Sequence, residues 1–206
     1  MSKETRETKE TKETTETPEG SARRFATVRG WETWLAKHHA DADGVWLLIS
    51  RPGAEKGSVS YAEALEVALC HGWIDGHKKG LDEHHWLQRF TPRRARSLWS
   101  KVNREKVAAL TAQGRMQPAG QREIDRAKDD GRWDQAYDSM RTITVPPDLQ
   151  AAFDAQPVAA AFFKTLNSTN RYAVLWRVQT AKKPETRERR IATLVAMLAR
   201  HEKLHP

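Results

Sequence analysis

Ser60 to Phe90 reads SYAEALEVALCHGWIDGHKKGLDEHHWLQRF, a helical pattern running directly into a hairpin pattern. Ser60 at an N-cap with Glu63 three residues later forms a capping box, and Ala64, Leu65, Ala68 and Leu69 share one face of a helix over 61–71. Gly72 stands where such a helix stops. Trp73 to His77 then reads as a strand, KKGLDEHH as a turn, and Trp86 to Phe90 as the antiparallel partner.

The same reading extends outward. Upstream, VWLLIS at 45–50 is a short apolar run followed by the turn-rich RPGAEKG, which predicts a buried strand and a sheet of about three strands. Trp31, Trp34 and Leu35 recur at i, i+3 and i+4 and predict a short helix ending before Asp41. Downstream of Pro92 the chain turns helical: 100–113 closes at Gly114, and 118–130 opens on Pro118 and closes at Gly131. RTITVPPDL is extended, because prolines and β-branched residues disfavour helix. From Pro147 helices resume, broken near Gln156 and Pro157, at 167–170, and at Lys183 and Pro184; Ile191, Leu194, Val195 and Leu198 line one face of the last. The expected class is α+β, mostly helical, with a small antiparallel sheet in the N-terminal half. Residues 21–140 make the α+β domain and 141–206 a helical C-terminal module.

Residues 1–19 contain no apolar residue after Met1 and cycle through Lys, Glu, Thr and Arg, so residues 1–20 are expected to be a disordered charged tail. They hold four Lys and Arg against six Glu, which leaves the remainder at a formal +10, against +8 for the whole chain. So basic a body attracts anions: nucleic acid, phosphorylated metabolites or an anionic surface. The mean hydropathy of −0.77 still leaves room for a packed core. A single cysteine, Cys70, excludes an intrachain disulfide framework. With neither a signal-peptide pattern nor ~18 consecutive apolar residues, the expected location is cytoplasmic with no membrane span.

Between Trp86 and Arg104 stand Arg89, Arg93, Arg94, Arg96, Lys101 and Arg104, with no acidic residue. Guanidinium groups bind phosphate or carboxylate in bidentate fashion and stack on rings. Ser97 and Ser100 flank Trp99 near a helix start, where free N–H groups favour an anion. The plain alternative is a solvated basic helix face with its tryptophans in the core. Asp75 has two readings as well: an Asx-type turn, or a carboxylate that aims an arginine of TPRR. The adjacent pairs His38-His39 and His84-His85 diverge on any regular element, and no HExxH or CxxC pattern occurs, so no metal site or cofactor is expected.

ALCHGWIDGHKKGLDEHHWLQRFTPRRARSLWSKVN, GRMQPAGQREIDRAKDDGRWDQAYD and RYAVLWRVQTAKKPETRERRIATLVAML together resemble the YdeI/OmpD-associated family of bacterial proteins, described as bacteriocin-protection proteins, from about residue 25 to 203. The positions that carry the resemblance include GWIDG at 72–76, Arg89, Arg93, Ser97, Trp99, Asn103, Gly131, Trp133, Lys183, Thr186, Arg187 and Arg190. It implies a stress-tolerance role and no defined reaction. A chain of formal +8 is poorly suited to sequester cationic peptides directly, so protection would run through an anionic ligand or a partner. The expected site is a basic aromatic cleft in which Arg89 and Arg93 contact a small anion, Asp75 orients one of them, Ser97 and Asn103 donate hydrogen bonds, and Trp73 or Trp99 forms a wall. Two rivals stand beside it: single-stranded nucleic-acid binding, and an enzyme on a small anionic substrate, for which Asp75 and His77 are the nearby acid–base groups.

Overall fold

The computed structural model describes residues 13–17, 20–54 and 57–206. In chain order the elements are β1 (Glu13–Thr17), β2 (Gly20–Arg24), α1 (Val28–His38), β3 (Val45–Ser50), α2 (Tyr61–Cys70), β4 (Trp73–Gly80), β5 (His85–Pro92), α3 (Lys101–Ala112), α4 (Pro118–Asp129), α5 (Pro147–Ala155), α6 (Pro157–Thr165), α7 (Ser168–Gln179) and α8 (Pro184–Ala199). The fold is α+β, mostly helical. Its strands belong to one five-stranded sheet of order β1-β2-β3-β5-β4. The sheet is mixed rather than purely antiparallel, because β2 runs parallel to β3 while the other pairs are antiparallel.

Two strands were not expected. Residues 1–12, 18 and 19 of the tail expected over 1–20 lie outside the described residues. Glu13–Thr17 pairs in register with Gly20–Arg24, Glu13 opposite Arg24 and Thr17 opposite Gly20. No apolar pattern announces that pairing, which is made by the backbone ladder of a Thr-rich segment. The hairpin also differs in detail: β4 continues through His77, Lys78 and Lys79 to Gly80, so its turn is shorter, and a bulge separates Asp75 from Lys78.

The chain divides into two compact units, one of the described residues up to Ser97 together with Lys106–Asp130, the other of Leu98–Glu105 with Gly131–Pro206. In the first, α2 forms as its sequence dictates. Ser60 Oγ accepts from Glu63 N at 3.3 Å, and Glu63 Oε2 accepts from Ser60 N at 2.9 Å, so both halves of the capping box are made. Leu47 and Ile49 on β3 and Phe90 on β5 are fully buried with Trp31, Leu35 and Val67. Aromatic rings dominate this core: Trp31 stacks on Trp34 at 5.4 Å, and both meet Trp73 edge-on at 6.5 and 5.9 Å. Trp31 Nε1 donates to Ala64 O at 3.0 Å, which lets so large a ring be buried without leaving its N–H unmet.

Helix α4 approaches α2 more closely than side chains permit. A Cβ on Gly120 would lie 2.2 Å from Cys70 O, and one on Gly72, which has φ +76°, would lie 2.9 Å from Ala119 O. Both positions therefore require glycine, and the contact brings the first turn of α4 against the end of α2. In the second unit Leu149, Phe153, Phe163, Val174, Val178, Leu194 and Leu198 form one core from α5, α6, α7 and α8. Asp138 ties that unit's entry to α7: its carboxylate takes Lys101 Nζ at 2.8 Å and Gln179 Nε2 at 2.5 Å. Among the described residues no helix is long and apolar enough to cross a membrane.

Candidate functional site

The ends of α1 and α2, the two ends of the hairpin and the first turn of α4 enclose a pocket of about 160 Å³ in the first unit. His39, His71, Gly72, Trp73, Arg93, Arg122 and Glu123 are among its lining residues. Each histidine is the C-cap residue of its helix. His39 Nδ1 lies 3.0 Å from Leu35 O, and His71 Nδ1 lies 3.0 Å from Val67 O. The backbone N–H of each residue donates to that same carbonyl, at 2.8 and 3.3 Å. The two rings are 5.9 Å apart. Burial holds the His71 imidazole below the ordinary histidine value, and the neighbouring His39 pushes in the same direction, so His71 is neutral at neutral pH.

Arg93 enters at the end of β5. Its backbone N–H donates to Gly72 O at 2.9 Å, and the residue is buried. Arg122 and Glu123 come from the first turns of α4, and the Glu123 carboxylate is paired with Arg126 on the same helix. That pairing engages the Glu123 carboxylate, and Arg93 and Arg122 bring two guanidinium groups to the same lining. Trp73 closes the floor: it is 1% exposed, and its Nε1 donates to His39 O at 3.1 Å. Cys70 adjoins the pocket through His71, but burial pushes its thiol up to about 11, so it is a protonated core thiol and no nucleophile.

The residues expected to form the cleft are dispersed. Trp73 and Arg93 line the pocket. Arg89 lies over the Trp46 ring at 5.8 Å, on the sheet face that carries Ala22, Leu48 and Leu87. Among the described residues Asp75 is hydrogen-bonded to Tyr61 Oη, at 2.8 Å, rather than to an arginine. Ser97 closes a tight turn, its Oγ accepting from Arg94 N at 3.1 Å. Trp99 and Asn103 belong to the second unit. There Trp99 is 2% exposed and meets Trp133 edge-on at 5.0 Å, and Asn103 N donates to Ser100 Oγ at 3.1 Å, so the helix start expected to hold an anion is capped by its own serine. Arg104 stacks over Trp133 at 4.9 Å and donates to its carbonyl at 2.8 Å. The SLWS and DGRWD motifs thus meet as a packing cluster. His77, the other acid–base group considered, is exposed on β4 and is not part of the pocket lining.

Sequence reasoning missed His39, His71, Arg122 and Glu123. The signal was present in part, since each histidine stands at the end of a predicted helix, where a ring nitrogen reaches the carbonyl four residues back. Among the described residues no group of three or more His, Cys, Asp or Glu is placed to hold a metal ion.

The molecule is thus a sheet-and-helix unit bearing a basic pocket, joined in sequence to a helical unit. Residues 142–201 match the family model described as Bacteriocin-protection, YdeI or OmpD-Associated, and residues 23–123 match a domain of unknown function (DUF8412). The resemblance drawn from sequence over about 25–203 is therefore matched in the helical part alone, and the pocket lies within the other domain. No curated protein and no solved structure matches the chain.

Proposed function

We propose that the protein binds a small oxyanion, of the phosphate or carboxylate class, in the His39–His71–Arg93–Arg122 pocket, and that it serves as a cytoplasmic, non-enzymatic protection-type protein. The observation that carries the reading is that Arg93, Arg122, His39 and His71 line one pocket of about 160 Å³, in which the Glu123 carboxylate is paired with Arg126. That volume suits an ion or a small metabolite. The match of 142–201 to a bacteriocin-protection model supports the biological role. A chain of formal +8 is poorly built to sequester cationic peptides, so a ligand-dependent route is favoured over direct capture.

The nucleic-acid reading has less support. Arg89 over Trp46, Lys78 over Trp86 and Arg23 over Trp34 each occupy a ring face that base stacking would need. Calorimetric titration with inorganic phosphate at low ionic strength tests the proposal, using wild type, Arg122→Ala and Arg93→Lys. Wild type should bind, and Arg122→Ala should bind about threefold to tenfold more weakly with an unchanged circular-dichroism spectrum. Absence of phosphate binding, or wild-type affinity in both folded variants, would sink the reading. Protection is scored separately, as survival of cells expressing wild type or Arg122→Ala under a cationic bacteriocin; equal survival would detach the pocket from that role.

A further inference from the structure

The two histidines of the pocket bear on which oxyanion it takes. A carbonyl oxygen has no proton to give, so the short contacts to Leu35 O and Val67 O require Nδ1 of His39 and of His71 to carry the hydrogen. In a neutral imidazole the remaining nitrogen, Nε2, then presents a lone pair. The hydrogen bonds of both rings run through Nδ1, and both residues line the pocket. The guanidinium groups of Arg93 and Arg122 supply donors, whereas the imidazoles supply acceptors.

Resting on the anion-binding reading, we propose that the pocket selects an oxyanion that still carries an O–H, as hydrogen phosphate and its esters or a hydroxycarboxylate do, over one that carries none. The charged oxygens of the ligand meet Arg93 and Arg122, and its O–H donates to an imidazole Nε2. A fully deprotonated ion of the same size and charge places an oxygen lone pair against that Nε2 lone pair instead. Sites built to accept a hydrogen bond from the ligand reject analogues without the hydrogen, because the buried acceptor is left unmet.

The groups that face His71 set how this depends on pH. They are His39 on α1, Arg93 after β5, and Arg122 and Glu123 on α4, with Glu32 acting from α1 at longer range. When acid protonates the His71 imidazole, its Nε2 becomes a donor and the discrimination is lost. Burial delays this at His71 to below the ordinary histidine range.

The test compares inorganic phosphate with inorganic sulfate, which are alike in shape and differ in the proton, by calorimetry on the full chain at about pH 7.5 and about pH 5. At the higher pH phosphate should bind about tenfold or more tightly than sulfate. The preference should shrink at the lower pH as sulfate gains affinity. His39→Ala, at a half-buried position, should weaken phosphate without weakening sulfate, a difference that a merely structural role would not produce. Equal affinity for the two ions at about pH 7.5, or tighter sulfate, overturns the selectivity while leaving the anion site standing. Binding of neither ion removes both.

Discussion

His71 is held by the carbonyls that close α2, its backbone N–H shared between Val67 O at 3.3 Å and Ala68 O at 3.0 Å. Val67 O accepts both its backbone N–H and its ring Nδ1–H, while the ring is buried against His39 and the start of α4. Burial of the uncharged ring lowers its affinity for a proton in the folded state. The unfolded chain regains the ordinary value and binds the proton more readily. The stabilising contribution is therefore complete above about pH 6.5 and is lost as pH falls through the lowered folded value. Thermal unfolding midpoints measured from about pH 8 downward should begin to decline below about pH 6.5 from this cause, and His71→Gln should flatten the decline. An identical slope in that variant would show that other groups govern acid stability. Most other single residues of the expected cleft have structural partners of their own, as the Asp75 bond to Tyr61 and the Arg89 stack on Trp46 illustrate.

At the level of elements, the AKKPETRERR motif is explained by the end of α7. Arg187 Nη1 donates to Val178 O at 2.8 Å, and Arg190 Nη1 donates to Arg177 O at 2.7 Å, so α8 supplies cations to the last carbonyls of the preceding helix. Arg187 also grips Asp148 on α5 through Nε and Nη2 at 2.5 and 2.9 Å, which holds that carboxyl below the usual carboxylate range. One side chain thus links three helices. Arg187→Ala should cost about 2 kcal/mol in denaturant unfolding, and Arg187→Lys should recover only part of it, because an ammonium cannot make the fork. Full recovery by lysine would reduce the role to charge alone. The same logic was legible in α2, whose Ser60–Glu63 box and closing Gly72 mark both ends. It was not legible for β1, whose pairing to β2 is a backbone ladder with no apolar alternation to announce it.

For the whole molecule, a formal charge of +8 produces a field that acts beyond the pocket. Phosphate affinity should therefore fall as sodium chloride rises from about 0.01 to 0.15 M, while the Debye length shrinks from about 30 to 8 Å. Substitution of exposed lysines outside the pocket lining, such as Lys78→Gln or Lys128→Gln, should reduce that salt dependence without abolishing binding. A salt-independent affinity would confine the attraction to the pocket's own groups. The matched families divide along comparable lines, with the pocket in the domain of unknown function and the bacteriocin-protection match in the helices.

Helix and strand order from α1 to α8 followed from local pattern: caps, glycine stops, prolines at helix starts and apolar periodicity all act within a few residues of one another. The richness of the chain in arginine and tryptophan likewise announced a basic protein with aromatic anchoring. The pocket is different in kind. His39, His71, Arg93 and Arg122 span more than eighty residues of sequence, and they meet because Gly72 and Gly120 let α4 approach the end of α2 at backbone contact. Local pattern is written in short-range sterics and hydrogen bonding, whereas the partners of a side chain are chosen by packing between distant elements.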